Sequence, residues 1–248
     1  MAVHWDFAII LLFFAAAVPL LGRRRVQRLM RVPETTKRDR LTLYASTIAF
    51  QWLAVAVIIW RVSAHGIALA DLGLAIPRPA VTAMATAVLA GLVLANQLIS
   101  LRRITTHPES VKGILPQLAR KVFPQDSTER LAFLVVVLTV AMCEEVIFRG
   151  FAQHVFDTWS GNVVLVGIVG SAALFGLAHL YQGLRGLIAT FVVGLLFSSV
   201  RWWTASLLAP FVAHFVADIM AGYLVPGRLQ AANAIEAGRR NIGDITSY

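Results

Sequence analysis

Residues 131–150 read "LAFLVVVLTVAMCEEVIFRG". The first eleven positions carry no charge. Two adjacent glutamates, Glu144 and Glu145, and then Arg149 follow in the same stretch. A long apolar run predicts a helix in lipid, because about 20 mostly apolar residues cross the hydrocarbon layer and only a helix satisfies its own backbone there. A charge at the centre of such a helix costs about 2.5–3.5 kcal/mol. The function of the protein is therefore sought in whatever offsets these three charges.

The rest of the chain supports the membrane reading. It has 248 residues, 58% of them hydrophobic and 14% charged, with a mean hydropathy of +0.73. A soluble domain carries about 25% charged residues. The apolar runs predict an all-α, polytopic transmembrane helix bundle of about seven spans: roughly 6–21, 41–62, 80–100, 131–157, 162–181, 186–200 and 204–224. The chain divides into N-terminal spans with a cytoplasmic amphipathic connector (1–130), a core (131–224) and a tail (225–248). Asp126 or Ser127 is the expected cap of the helix that enters the fourth span.

The net charge of +9 does not point to nucleic acid, because the basic residues sit in loops. "GRRRVQRLMRVPETTKRDR" (Gly22–Arg40) holds eight Lys or Arg, residues 101–130 hold six, and residues 63–79 hold one, Arg78. Short cytoplasmic loops are the Lys- and Arg-rich ones. This pattern predicts an integral, multi-pass protein of a bacterial plasma membrane, N-terminus out and C-terminus in, with membrane lipid as a partner and no nucleic acid. "FAIILLFFAAAVPLLG" (Phe7–Gly22) has no basic region before it, so it reads as a retained span rather than a cleaved signal. The lone Cys143 cannot form an internal disulfide and reads as a small buried hydrophobe. Trp202 and Trp203 fit an interfacial belt. His4, His65 and His107 lie near the terminus or in loops and carry no functional signal in sequence.

Ionisable residues inside spans mark function because they are costly. They concentrate in three spans: Glu144, Glu145, Arg149 and His154 in the fourth, His179 in the fifth, His214 and Asp218 in the seventh. Helical spacing of about 100° per residue points Glu144 and Glu145 in different directions, while Glu145 and Arg149 at i, i+4 share a face and can pair. Glu144 then needs a partner on another helix, a metal or a proton. Counted from a turn near Ser160–Gly161, Glu144 lies about 16 residues before and His179 about 18 after, level within a few ångströms at about 1.5 Å per residue. Phe175 and His179, like His214 and Asp218, are spaced i, i+4. Glu144, His179, His214 and Asp218 are thus expected to meet in one buried pocket, with Phe175 packed over it and His154 outside it. Gly167 with Ser171, and Ala172 with Gly176, have the small-residue spacing that lets helices approach closely.

"EEVIFRG", "FGLAH" and "HFVAD", in that order and each on an apolar helix, resemble the three motifs of the CPBP family. These are the CAAX protease and bacteriocin-processing (Abi-type) intramembrane proteases, with the pattern E-E-x-x-x-R, F-x-x-x-H and H-x-x-x-N or its variants. The resemblance covers about 141–223, and "DLGLAIPRP" (71–79) is similar to a linker preceding the family core. It implies a membrane-embedded endopeptidase acting on a peptide or membrane-protein substrate. Glu144 would activate water, Glu145 and Arg149 would hold the site together, and His179 would orient the water or bind a metal. His214 would stabilise the oxyanion or bind a metal. Asp218 stands where the prenyl-protease branch commonly has asparagine. Glu144, His179, His214 and Asp218 together form a mixed N/O set that a divalent metal such as zinc could use.

Two other functions fit intramembrane acids: a proton-coupled transporter and a catalytically silent immunity or binding protein. Transporters often show repeated halves and interrupted helices, neither of which is visible in the sequence.

Overall fold

The computed structural model describes residues 4–106 and 114–224. The expected tail, His107 and the middle of the connector lie outside the described residues. Among the described residues, eight helices longer than a single turn follow in order: α1 Trp5–Arg31, α2 Lys37–Ala64, α3 Pro79–Thr106, α4 Ile114–Val122, α5 Ser127–Trp159, α6 Val164–Ala178, α7 Gly183–Thr204 and α8 Leu208–Leu224. Five are long and apolar enough to cross a membrane, and α6 and α8 are shorter apolar helices. This is the expected all-α bundle of about seven membrane helices. Large apolar side chains such as Leu12, Leu53, Leu92, Leu131 and Leu184 point outward, as a lipid-facing surface requires.

Two helices are not regular. Phe13–Ala17 in α1 and Glu145–Ala152 in α5 are π-helical. The segments face each other through the rings of Phe14 and Phe148, 5.9 Å apart. Single π turns inside α-helices recur at functional sites. Here one of them starts at the second glutamate of the motif. The span expected at roughly 162–181 falls on α6, which is a little shorter at its C-terminal end. Helix α6 ends at Ala178, and His179 is its C-cap with non-helical backbone angles, followed by a 3-10 turn at Leu180–Gln182. At about 1.5 Å per residue, a helix of this length reaches only about 22 Å from its start. Its end is thus set within the bundle rather than beyond it.

The ends of the helices sort the charges. The basic stretch after Gly22 closes the end of α1 and opens α2. There the side chain of Asp126 accepts from the backbone N–H of Glu129, capping α5 as expected. At this end Arg40 and Glu129 form a buried two-point ion pair, Nε to Oε2 at 3.0 Å and Nη2 to Oε1 at 2.8 Å. Glu129 Oε2 also accepts the backbone N–H of Gln125 at 2.7 Å. Satisfying both oxygens is what makes burial of this pair tolerable, and it ties α2 to α5. Helix α4 docks on the same end, where the Thr35 hydroxyl donates to Lys121 O at 2.9 Å. At the opposite end Trp5, Trp60, Trp202 and Trp203 are exposed, on the start of α1 and the ends of α2 and α7. At that end, too, Arg61 Nε and His65 Nε2 lie 2.8 and 3.0 Å from Asp6 Oδ2. His4 and His65, which the sequence leaves without a signal, are thus brought together around Asp6.

Small residues set the tightest packing. A Cβ on Gly194 of α7 would lie 3.0 Å from Ala172 Cα of α6, closer than most side chains sit to a neighbouring backbone, so glycine eases this approach. Gly150 admits the loop after α2, since a Cβ there would lie 3.1 Å from the Leu72 carbonyl oxygen. Ser171 of α6 donates to Phe148 O at 2.8 Å, fixing α6 against the π-helical stretch of α5.

Candidate active site

Helix α5 supplies the acids. Arg149 and Glu145 are fully buried and paired, Nη1 to Oε1 at 3.1 Å. The guanidinium also stacks 4.0 Å above the Phe175 ring and lies 5.4 Å from that of Phe197. Ring faces carry negative quadrupole charge, so the two phenylalanines help accommodate a cation removed from water. Glu145 does more than neutralise Arg149. The same Oε1 lies 2.8 Å from His214 Nδ1 of α8. An ionised carboxylate only accepts, so Nδ1 carries the hydrogen.

His214 Nε2 is thereby turned toward two further carboxylates, Glu144 Oε2 at 3.9 Å and Asp218 Oδ2 at 3.7 Å. Both distances exceed a direct hydrogen bond. His179 follows the same plan. Its Nδ1 lies 2.9 Å from the carbonyl oxygen of Phe175, one turn back on α6. A carbonyl cannot donate, so this Nδ1 is also the protonated nitrogen and Nε2 is left free. The Phe175 ring is buried between the two histidines, 4.5 Å from His179 and 6.0 Å from His214. Two imidazoles from different helices are thus each fixed through Nδ1 and keep Nε2 available for chemistry.

Glu144 finds a partner that the sequence reading missed. Gln51 Nε2 of α2 donates to its Oε1 at 3.1 Å, while Oε2 has no hydrogen-bond partner among the described residues. The available signal was an amide in the middle of an otherwise apolar span. Glu144 and His179 line one cavity of about 200 Å³, with Gln51, Phe50, Phe148 and Tyr181 among its walls. Phe14, Val18, Gly22 and Arg25 of α1 complete it, so the N-terminal part of the chain builds the wall opposite the motif residues. His214 and Asp218 are not among the lining residues and approach Glu144 from the α8 side. His154 is also not among them.

The four residues expected to share a metal do not form one coordination sphere as arranged. Among the described residues, the one group of three or more His, Cys, Asp or Glu with ligand atoms all within 4.8 Å of one another is His4, Asp6 and His65. Glu144, His179, His214 and Asp218 would have to rearrange to hold a divalent ion. Cys143 is buried in the main hydrophobic core cluster, where it packs as a small apolar residue.

Residues 126–220 match the family model described as Type II CAAX prenyl endopeptidase Rce1-like. The matched range contains all three motifs, in agreement with the resemblance that their residues carry. Over 102 residues the chain is 28% identical to the uncharacterized protein YpbD of Bacillus subtilis (strain 168), covering 40% of this chain and 47% of that one. The chain thus spans about half the length of that curated relative. No solved structure matches.

Proposed function

We propose that this Rce1-like membrane protein is an intramembrane endopeptidase that hydrolyses a peptide bond with a water activated by Glu144. The observation that carries the reading is the arrangement of a cavity-facing carboxylate with two imidazoles fixed through Nδ1 on separate helices. Glu144 Oε2 and His214 Nε2 are 3.9 Å apart. A water about 2.8 Å from each would meet them at an angle of about 90°, within hydrogen-bonding reach of both.

In the proposed reaction Glu144 takes a proton from this water and the hydroxide attacks the peptide carbonyl. His179 Nε2, unprotonated, accepts from the water and orients it. The oxyanion that forms is met by His214 Nε2–H when that ring is doubly protonated; such donors are worth about 2.7–4 kcal/mol to a transition state. Glu144 then passes its proton to the departing amine nitrogen as the C–N bond breaks. Glu145 holds the His214 ring in the required orientation through Nδ1–H, and Arg149 holds Glu145. Asp218 supports His214 from the outer side. The substrate is a peptide or membrane-protein segment that reaches the cavity from the membrane or the cytoplasm.

The test is a comparison of protein termini in membranes containing the wild type and Glu144→Gln. New termini generated only by the wild type identify substrates, which are then assayed with purified protein, with chelator and with added zinc. Equal termini from both proteins would refute the proteolytic reading and favour a silent binding protein or a transporter. Activity lost on chelation and restored by zinc would replace the metal-free steps with a metal-assisted hydrolysis.

Gln51 is expected to tune the base rather than supply it. Gln51→Leu removes a hydrogen bond to a carboxylate, worth about 1.5–3 kcal/mol, so cleavage should slow by about 10–100-fold while the protein stays folded. An unchanged rate would remove Gln51 from the machinery.

The proposed orientation places the N-terminus outside and the cavity's Arg25 toward the cytoplasm. Reporter fusions after Arg40 and after Ala70 should give cytoplasmic and external signals respectively. The opposite pattern would invert the orientation and the side from which substrate enters.

A further inference from the structure

The start of α1 and the end of α2 meet at a second polar cluster, remote from the glutamates. His4, Asp6 and His65 place their ligand atoms within 4.8 Å of one another. His65 Nε2 lies 3.0 Å from Asp6 Oδ2, and Arg61 Nε donates to the same oxygen at 2.8 Å. The rings of His4 and His65 are 3.7 Å apart and tilted by 31°. Phe7 stands edge-on to both, at 5.4 and 5.0 Å, and is itself buried against Phe151 of α5 at 5.2 Å. The cluster is thus held from behind by the core, while His65 and Asp6 keep 21% and 12% of their side-chain surface exposed.

We propose that His4, Asp6 and His65 form a binding site for a divalent transition metal, zinc in the first instance, separate from the catalytic cavity. Two imidazoles and a carboxylate are the donor types zinc takes, at about 2.0–2.2 Å. With both bonds near 2.1 Å, donors 3.0 Å apart subtend about 90°, so reaching a tetrahedral separation of about 3.4 Å needs only a few tenths of an ångström of opening. Neutral imidazole is the ligating form, so any proton on a ligating ring nitrogen is displaced when the metal binds. The ion takes the place of the hydrogen that His65 Nε2 donates to Asp6. That hydrogen moves to Nδ1 through solvent if the ring is neutral, or is released if the ring is charged. Arg61 stays on Oδ2 and orients the carboxylate, as outer-shell partners of ligating carboxylates do, while the second lone pair of that oxygen goes to the metal. Because Arg61 cancels the charge of Asp6, the bound ion needs water, hydroxide or an anion in a fourth, solvent-facing position.

Such an ion fastens α1 to α2. Phe14, the first cavity-lining residue of α1, lies eight positions beyond Asp6, about 12 Å along the helix. The metal would therefore secure one wall of the catalytic cavity without entering it.

The experiment uses full-length protein in detergent carrying Glu144→Gln and His179→Gln, so that zinc held in the catalytic cavity cannot be mistaken for zinc at the cluster. This also separates the outcome from that of the proteolysis proposal, since no cleavage is read. Calorimetric titration with zinc should give one equivalent, with a rise in melting temperature. Adding His4→Gln or His65→Gln, both of which leave the Arg61–Asp6 pair intact, should weaken zinc binding at least tenfold and abolish the temperature shift. Zinc binding unchanged by both substitutions, or absent before either is made, would overturn the proposal. If a variant unfolds, its thermal scan without metal reveals it. His4→Cys, which restores a zinc ligand at that position, should then regain binding, and its failure to do so while folded would also overturn the proposal.

Discussion

Glu144→Gln and His179→Ala should each abolish peptide-bond cleavage, and the double variant should be no worse than either alone. Removing a general base costs about 10²–10⁴-fold, and glutamine in place of Glu144 keeps the shape and can still pair with Gln51. His179 acts on the same water, so losing either residue removes the same step. Groups acting as one unit are strongly non-additive. The measurement is single-turnover cleavage of an identified substrate by the four proteins in liposomes. Multiplied losses in the double variant would mean that the two residues serve separate steps. Robust turnover by Glu144→Gln would remove Glu144 as the base.

Arg149→Ala should damage the fold before it damages the chemistry. Arg149 and Glu145 are buried together, and Glu145 Oε1 also anchors His214 Nδ1. Taking away the cation leaves a carboxylate in an apolar interior and removes the partner stacked on Phe175. Breaking a buried pair in this way costs about 3–5 kcal/mol. The expected result is less protein in the membrane and a lower thermal midpoint. Replacing the pair together, by Glu145→Gln with Arg149→Met, should recover much of the stability because no charge is stranded. Activity should not return, since His214 loses the carboxylate charge that faces its Nδ1. Normal abundance and stability of Arg149→Ala, with activity gone, would show that Arg149 acts in the chemistry itself.

The helices were legible because lipid imposes a simple rule on sequence: a run of apolar residues long enough to cross must become helix. The expected spans accordingly fall on α1, α2, α3, α5, α6, α7 and α8. The rule fails at the end of α6, where "FGLAHLYQG" (175–183) stays apolar enough to continue a span but stops at Ala178. His179 bonds the Phe175 carbonyl that a continuing helix would have used. The π-helical stretch at Glu145–Ala152 was not legible either. Its contacts come from α1, α2, α6, α7, α8 and the loop after α2, and no local pattern encodes them.

The candidate site divides along the same line. The pairing of Glu145 with Arg149 is determined by four-residue spacing on one helix, and the three motifs name the chemistry. Only the tertiary structure decides that His214 bonds Glu145 rather than Glu144, that Gln51 holds Glu144, and that α1 closes the cavity. Only it brings His4 and His65 together at Asp6. The physical reason is range. Helix periodicity relates residues a few positions apart, whereas these partners are separated by about 60 to 170 positions. Which face of each helix meets its neighbour is settled by packing, through contacts such as Gly194 on Ala172 and Ser171 on Phe148.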